Sequence, residues 1–311
     1  MITISSHALH LEVVPELGGG VARFDCLHPT HGRLPLWRPA PDHPTWFNQL
    51  ASYSLVPWSN RIDRAQLRFA GTTHALKADW PDGTAIHGDA KHRPWHVLDR
   101  SPLSVSLSTG TITSADRNFP WAYEATVRYE IRGSTFITRL AVTNRSDQSF
   151  PCGLGFHPFW FRQLQGEHGP IGSQAVVTLP VQGRYPCERI MPVSASVRDS
   201  VTDQLCAGTT LEALDLDDVF SGFDGKARIQ WPGSGLTARY TCSPEFGHAV
   251  LYSPATGPVA PYFCLEPVSN LNNGIELREQ GWKDTGVRII APDETFAGVF
   301  GITMEGLGVG A

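Results

Sequence analysis

The sequence of 311 residues lacks the features that mark membrane proteins and nucleic-acid-binding proteins. No run approaches the roughly 18 consecutive apolar residues of a membrane span. The formal net charge is −5 and no block of Lys or Arg stands out, which argues against nucleic acid or an anionic membrane as a partner. The N-terminal stretch MITISSHALHLEVV has no basic start and no apolar block, so we expect a first strand in a cytoplasmic protein.

Cysteine is scarce, and its spacing excludes a C-x-x-C redox or metal site. The six cysteines are Cys26, Cys152, Cys187, Cys206, Cys242 and Cys264. Because the chain is long and shows no secretion signal, we expect reduced, buried thiols and no disulfide framework.

Several catalytic motifs are also missing. The sequence contains no G-x-S-x-G, no phosphate loop, no G-x-G-x-x-G between strand and helix, and no H-E-x-x-H. The spacing of His87, His92 and His96 resembles a set of metal ligands, but Gly88 and Pro94 argue against a helix that would align them. We therefore predict no metal and no cofactor, and the chemistry that remains is proton transfer by side chains.

Long helices are the last absence, because 30 glycines and 24 prolines are spread evenly along the chain. Between these breaks the apolar residues alternate with a period of two. The stretch 125–144 predicts a hairpin that turns near Gly133 and has Phe136, Leu140 and Val142 on one face. Residues 104–114, 227–231, 236–242 and 249–253 have the same character. The pattern predicts a β-sandwich in one domain, residues 1–311, with a short helix near Thr209–Leu214.

Four segments place polar residues where packing alone does not require them. They are LVPWSNRIDRA (55–65), AIHGDAKHRPW (85–95), CGLGFHPFWF (152–161) and CLEPVSN (264–270). Glu266 is the most conspicuous, because a carboxylate in an apolar strand is unfavourable unless it is paired, solvated or used. A Glu as base and a His as acid suffice for proton transfer. Each segment also has a structural interpretation: a surface turn, two satisfied histidines and a buried Glu–Arg ion pair.

In their order along the chain, these segments resemble the aldose 1-epimerase (galactose mutarotase) family. The matching motifs are Asn60-Arg61-Ile62, His87-Gly88, His157-Pro158-Phe159 and Glu266-Pro267-Val268, with further matches at 16–20, 216–225 and 286–296. The resemblance covers nearly the whole chain. It implies an all-β fold, a large antiparallel β-supersandwich, with an open cleft for a small-molecule sugar. It also implies interconversion of the anomers of a free hexose.

The resemblance further implies a role for each matching residue. Glu266 matches the general base, His157 the general acid, and His87 a second histidine that binds and orients the sugar. The residues that match substrate contacts are Asn60, Arg61 and either Asp217 or Asp218. After Glu266-Pro267-Val268 the sequence departs from the family pattern, with Ser269-Asn270-Leu271-Asn272-Asn273 in place of a His-containing loop. This departure leaves the identity of the aldose open.

Three alternatives remain open from the sequence. An epimerase of a phosphorylated hexose needs convergent cations, for which Arg61, Arg64, Arg93 and Arg162 are candidates. A non-catalytic carbohydrate-binding or regulatory protein keeps the cleft without the chemistry. A glycosidase needs a second carboxylate, which Asp217 or Asp218 would supply.

The sugar-stacking candidates are Trp58, Trp95 and Trp160. The sequence does not determine the oligomeric state.

Overall fold

The computed structural model describes residues 1–111, 117–254 and 260–308. Within these ranges thirty strands dominate, and the pairs between them are antiparallel. The strands of the first half are β1 Ile2–Ser5, β2 Leu9–Val14, β3 Gly20–His28, β4 Gly32–Pro35, β5 Ser54–Leu55, β6 Arg61–Ile62, β7 Gln66–Phe69, β8 Thr72–Ala75, β9 Ala85–Ile86, β10 His96–Ser101, β11 Ser104–Gly110, β12 Tyr123–Arg132, β13 Thr135–Asn144, β14 Phe150–Cys152, β15 Gly155–Phe156 and β16 Phe159–Phe161.

The second half of the chain continues the same pattern with two short α-helices added. Its strands are β17 Leu164–Gly166, β18 Gly169–Ile171, β19 Val176–Thr178, β20 Gly183–Arg184, β21 Cys187–Glu188, β22 Met191–Pro192, β23 Thr209–Thr210, β24 Leu216–Ser221, β25 Lys226–Trp231, β26 Leu236–Cys242, β27 His248–Ser253, β28 Tyr262–Val268, β29 Arg288–Ile290 and β30 Thr295–Glu305. The helices are α1 Ser200–Ala207 and α2 Gly274–Glu279, and short 3-10 turns cover Phe47–Gln49, Asp63–Ala65 and Ala90–His92.

A nine-stranded sheet forms one layer, in the order β10-β11-β12-β13-β30-β26-β25-β19-β23. Its third and fourth strands, β12 and β13, form the hairpin that the alternating pattern predicts, joined through Gly133 at φ 58°. Phe136, Leu140 and Val142 are buried on one face, whereas Arg139 is exposed. Of the predicted strand 104–114, residues 104–110 are confirmed, and its end lies outside the described residues.

A seven-stranded sheet forms the opposing layer, in the order β20-β24-β27-β28-β15-β5, with β16 also pairing with β28. The two sheets pack face to face around aromatic side chains. The Trp160 indole N–H donates to the Tyr240 hydroxyl, which in turn donates to the Leu265 carbonyl oxygen at 3.0 Å. Phe156 and Phe300 meet with ring centroids 5.5 Å apart. The prediction of a large antiparallel β-supersandwich is confirmed, and the second sheet is the one that carries the site.

The helix in the region 193–219 lies earlier than the sequence analysis predicts. It spans Ser200–Ala207, where the Asp199 carboxylate caps it by accepting a hydrogen bond from the Thr202 N–H at 2.9 Å. Gly208, at φ 95°, ends it. The predicted helix near Thr209–Leu214 is therefore wrong, because Thr209–Thr210 pairs with β19 as a strand.

Two further observations bear on the expectations from composition. All six cysteines are free, and Cys26, Cys152 and Cys264 are buried as expected, whereas Cys187 is exposed. No helix in the described part of the chain combines the length and the hydropathy that crossing a membrane requires.

Candidate active site

A cleft over the seven-stranded sheet brings together residues that lie far apart in the sequence. Its cavity has a volume of about 240 Å³. Of the seven predicted site residues, six line this cleft: Asn60, Arg61, His87, His157, Asp217 and Glu266. Asp218 is the exception. The four polar segments therefore meet in one cleft. A purely structural role for each segment, such as a surface turn or a satisfied histidine, does not require them to meet.

Glu266 lies in the middle of β28, opposite Val250 of β27, and is only 2% exposed. Its Oε1 lies 3.1 Å from Nε2 of His157, while its Oε2 is buried with no hydrogen-bond partner among the described residues. Among the described residues no arginine pairs with Glu266, and Arg61 binds Asp82 and Asp217 instead. A buried carboxylate oxygen without a partner is unfavourable for folding and is typical of a functional site.

His157 lies between β15 and β16, where its backbone N–H donates to the Tyr53 carbonyl oxygen at 3.1 Å. The rings of Tyr53 and Phe159 stack on the imidazole, at centroid distances of 4.9 and 4.6 Å. Arg38 supports Phe159 from beyond, with its guanidinium carbon 3.9 Å from the ring centroid. The imidazole is thus fixed in orientation, with Nε2 toward Glu266 and with Nδ1 buried and unpartnered within the described part of the chain.

Burial determines the protonation of this pair. It raises the pKa of Glu266 well above its ordinary value; the neighbouring Asp217 carboxylate raises this pKa further, and Arg61 opposes the change. Burial lowers the pKa of His157 to about 3. The favoured form is therefore a carboxylic acid beside a neutral imidazole. This form holds the same single proton as a carboxylate beside an imidazolium, so a proton shift between Glu266 and His157 interconverts them.

His87 is held in a left-handed backbone conformation, at φ 58°, by the residues around it. Its ring lies edge-on to the His157 ring, with centroids 5.1 Å apart. A Cβ on the next residue, Gly88, would collide with the Val56 backbone, so only glycine fits there. The fully buried Lys91 donates to the carbonyl oxygens of Ile86 and Gly88, on both sides of His87. These two hydrogen bonds fix the backbone of the turn that carries His87.

Asn60 and Arg61 are held by the loop in which the sequence departs from the family pattern. The Asn60 side-chain amide donates to the Asn270 backbone carbonyl oxygen at 2.6 Å. The Arg61 backbone N–H donates to the side-chain oxygen of Asn272 at 3.1 Å. The Asn273 N–H in turn donates to the Arg61 carbonyl oxygen. This loop, residues 269–273, therefore supports the turn of Asn60 and Arg61 at the cleft wall directly.

The structure separates the two adjacent aspartates that the sequence could not. Asp217 points to the cleft and lies 3.4 Å from an Arg61 guanidinium nitrogen. Arg61 also binds Asp82 at 2.7 Å. Asp218, one residue on, points to the other face of β24 and binds Arg184 at 3.3 Å. Burial raises the pKa of Asp217, which Arg61 opposes.

The three groups at the centre of the cleft also form a possible ligand set for a cation. Donor atoms of His87, His157 and Glu266 lie within 4.8 Å of one another. Two histidines and a carboxylate suit divalent transition metals. This set differs from the spacing considered in the sequence, because His92 binds Asp79 at 2.9 Å instead. Acid–base chemistry by these side chains needs no metal, and the absence of a bound metal stays a prediction.

The aromatic residues of the cleft are not those that the sequence analysis nominated. Trp58, Trp95 and Trp160 are 1%, 3% and 0% exposed and belong to the core, so their nomination as sugar-stacking residues is wrong. Trp80 lines the cleft instead. It lies in a turn without apolar periodicity, so its only sequence signal is an unexplained tryptophan beside Pro81-Asp82-Gly83.

A larger cavity, of about 700 Å³, lies elsewhere and contains none of the predicted site residues. Its buried His248 has both ring nitrogens engaged, Nδ1 with the Ser269 carbonyl oxygen at 2.8 Å and Nε2 with the Tyr185 hydroxyl at 3.2 Å. His248 thus has the contacts of a structural histidine, unlike His157.

Comparison with known proteins identifies the family of this chain. A family model described as aldose 1-epimerase matches residues 1–303. The uncharacterized protein YphB of Escherichia coli K12 is 23% identical over an alignment of 313 positions. The alignment covers 98% of this chain and 99% of YphB.

Solved structures show the same fold. A putative aldose 1-epimerase from Escherichia coli K12 superposes with a TM-score of 0.81 at 20% identity, covering 97% of this chain and 98% of that one. A galactose mutarotase-like protein from Clostridium acetobutylicum gives a TM-score of 0.83 at 18% identity, covering 98% and 94%. Because the family model spans nearly every residue and includes the whole cleft, this chain belongs to the aldose 1-epimerase family.

Proposed function

We propose that this protein is an isomerase that interconverts the α and β anomers of a free, unphosphorylated aldose. The observation that carries the proposal is the contact between Glu266 and His157 at 3.1 Å, buried at the base of a polar cleft. Two groups that share one proton beside a substrate can remove a proton from one oxygen and deliver a proton to another. Anomer exchange requires those two transfers and no oxidant or nucleophile.

The proposed reaction begins with Glu266 as carboxylate and His157 as imidazolium. Glu266 takes the proton of the anomeric hydroxyl, and a C=O bond forms at C1. The bond from C1 to the ring oxygen breaks as His157 gives its proton to that oxygen. Rotation about C1–C2 by roughly half a turn presents the other carbonyl face, and closure in reverse gives the other anomer. Each positioned acid or base contributes about 10²–10⁴-fold.

The remaining polar groups of the cleft would bind and orient the sugar. His87 faces His157 edge-on, and burial lowers the pKa of His87 well below its ordinary value, so we assign it a neutral hydrogen-bonding role. Asp217 accepts hydrogen bonds from sugar hydroxyls, and Arg61 and Asn60 provide donors. The binding of Arg61 by Asp82 and Asp217 keeps its guanidinium at the cleft wall before the sugar arrives.

The cleft disfavours a phosphorylated sugar. Among the described residues that line it, Arg61 is the single Lys or Arg side chain, and two carboxylates already bind it. Arg64 is 73% exposed beside Asp63, and Arg93 binds Asp89. Arg162 donates to the Ala260 carbonyl oxygen and the Ser253 hydroxyl, away from the cleft. A phosphate would meet Asp217 without the two or three convergent cations that it needs.

Polarimetry of freshly dissolved sugars tests the proposal. Wild-type protein should accelerate the mutarotation of α-glucose or α-galactose well above the spontaneous rate and should act more slowly on glucose 6-phosphate. A preference for the phosphorylated sugar would support the alternative epimerase. Binding of sugar without acceleration would support the non-catalytic alternative, and release of nitrophenol from a nitrophenyl glycoside would support the glycosidase.

A further inference from the structure

The buried centre of the cleft, formed by His87, His157 and Glu266, has the donor spacing of a transition-metal site. One donor atom from each of the three lies within 4.8 Å of the other two. Two ligands on one tetrahedral zinc ion are about 3.4 Å apart, because zinc–ligand bonds are about 2.0–2.2 Å long. His157 Nε2 and Glu266 Oε1 are already 3.1 Å apart. The donor of His87 therefore has to approach by at most about 1.5 Å.

Each residue of the buried centre carries a polar atom that no protein group satisfies. His87 Nδ1, His157 Nδ1 and Glu266 Oε2 are buried without a hydrogen-bond partner among the residues that the structure describes. His248, by contrast, has both ring nitrogens engaged. Buried polar atoms are unfavourable unless a ligand or water completes their bonding. The buried centre thus has ligand capacity left over, and it lines a cleft through which a small ion reaches it.

The charges around the buried centre favour a dication. Arg61, at the cleft wall, binds both Asp82 and Asp217. When Glu266 is ionised, three carboxylates face this one guanidinium, which leaves two negative charges for a dication to balance. Two of the three donors are imidazole nitrogens, which suit Zn²⁺ and other transition ions, whereas Mg²⁺ and Ca²⁺ prefer oxygen. The buried centre is therefore matched to a transition-metal dication.

We propose that Zn²⁺ binds to His87, His157 and Glu266 and thereby inhibits this protein. The inference rests on the proposed function and names a regulation of the same site. The ion takes the lone pairs with which the carboxylate and the imidazole hold their shared proton, and that proton leaves to solvent. The fourth ligand position of the ion takes a water molecule where the sugar would bind. The active form is the metal-free protein, so the ion is an inhibitor and not a cofactor.

Titration calorimetry with ZnCl₂ measures the metal site apart from catalysis. We expect one Zn²⁺ per chain in wild type and binding at least about tenfold weaker in His87→Asn and in Glu266→Gln, because even removing a residue that hydrogen-bonds to a ligand costs about 10–100-fold. Asparagine tolerates the left-handed backbone at position 87, where φ is 58°. Circular dichroism shows whether both variants are folded.

Two further variants control for surface sites. His31→Asn removes an imidazole whose ring centroid lies 4.7 Å from that of His28, so the two form a surface pair that could hold a metal ion. Cys187→Ser removes an exposed thiol. Both variants should bind Zn²⁺ as wild type does.

Polarimetry tests inhibition with whichever of α-glucose and α-galactose wild type accelerates. Zn²⁺ at about ten times its Kd should raise the apparent KM about tenfold and leave kcat unchanged. EDTA should restore the rate, and MgCl₂ at the same concentration should have no effect. In wild type, the visible absorption of Co²⁺ bound in place of Zn²⁺ should fall when the same sugar is added, a measurement that needs no variant.

The other outcomes overturn the proposal in distinguishable ways. Zn²⁺ binding that is unchanged in folded His87→Asn and Glu266→Gln, or lost in His31→Asn or Cys187→Ser, would place the ion on the surface and remove the site. Zn²⁺ bound at the buried centre without inhibition, or with activation, would overturn the regulation. If wild type accelerates no sugar, the proposed function fails and inhibition fails with it, whereas weaker Zn²⁺ binding in both variants would still establish the metal site.

Discussion

His157 Nε2 lies 3.1 Å from Glu266 Oε1, although the two residues are more than a hundred positions apart in the chain. Antiparallel pairing of β16 and β15 with β28 produces this contact, because it sets the turn at His157 beside the middle of β28. Both groups are nearly inaccessible to water, and burial moves their pKa values in opposite directions. The pair is therefore a single-proton unit over a wide pH range.

The pH dependence of catalysis follows from those directions. Below the His157 pKa of about 3 the pair takes up a second proton and lacks a base, and above the raised Glu266 pKa it loses its last proton and lacks an acid. We expect kcat/KM to differ less than about twofold between pH 5 and pH 7, after subtraction of the spontaneous rate. A steep fall from pH 7 to pH 5 would mean that His157 titrates near its ordinary pKa of about 6.5, against this account.

Replacement of the buried base should stabilise the protein. Burial raises the Glu266 pKa in the folded state, so the folded state binds this proton more tightly than the unfolded chain does. Stability is therefore lost as pH rises from the unfolded pKa of about 4.3 through the folded pKa. Glu266→Gln carries no charge, and we expect its Tm to exceed that of wild type by about 2–4 °C at pH 8.

Calorimetry at several pH values checks the sign of this effect. The difference in Tm between Glu266→Gln and wild type should shrink as the pH falls below the unfolded pKa of about 4.3, because the wild-type carboxyl is then protonated in both states. Glu16→Gln, at an exposed position, removes a carboxylate without the burial and should leave Tm unchanged. A lower Tm for Glu266→Gln at all pH values would show that the carboxylate stabilises the fold.

The adjacent aspartates provide a matched pair of variants. Asp217 faces the cleft and Asp218 binds Arg184 on the other face of β24. We expect Asp217→Asn to lower kcat/KM for the aldose by about tenfold, because a charged hydrogen-bond acceptor for the sugar is lost. Asp218→Asn should stay within about twofold. The reverse ranking would place the sugar on the opposite side of β24 from the cleft described here.

The buried lysine beneath His87 should matter for stability. Lys91 Nζ donates to Asp79 and to the carbonyl oxygens of Ile86 and Gly88, at 2.6, 2.5 and 2.7 Å. Lys91→Met would remove the ammonium group from the Asp79 carboxylate, which would keep His92 and the Ile86 backbone N–H as partners, and we expect a loss of about 3–5 kcal/mol. Urea unfolding measures this loss, with the exposed Lys77→Met as control. An unfolding free energy within about 1 kcal/mol of wild type would contradict the structural role.

Period-two alternation was sufficient to predict the sheets but not to determine which side chains face the cleft. The hairpin of β12 and β13 is confirmed, because its pattern reflects one buried face. The prediction that Trp160 stacks on the sugar was wrong for a different reason. Trp160 lies on β16, and the pairing of this strand directs its side chain into the core between the sheets. Asp217 and Asp218 are neighbours in sequence, so only the register of β24 with β27 separates them.

Order along the chain predicted which residues meet, but not what holds them. Contacts such as that of Asn60 with the Asn270 backbone join segments 210 residues apart, and no local pattern encodes them. The same holds for the bracing of His87 by Lys91, since nothing in the segment indicates that a lysine is buried there. The single-domain boundary at residues 1–311, the absence of metal and cofactor, and the role of each residue stay predictions.

The most direct measurement is the mutarotation of α-glucose and α-galactose by Glu266→Gln beside wild type, with circular dichroism to show that both are folded. Glutamine keeps the shape of the side chain but cannot take the anomeric proton. We expect wild type to accelerate at least one sugar and the variant to lose at least about 10²-fold of that acceleration. A folded Glu266→Gln variant with the wild-type rate would contradict the assignment of Glu266 as the base.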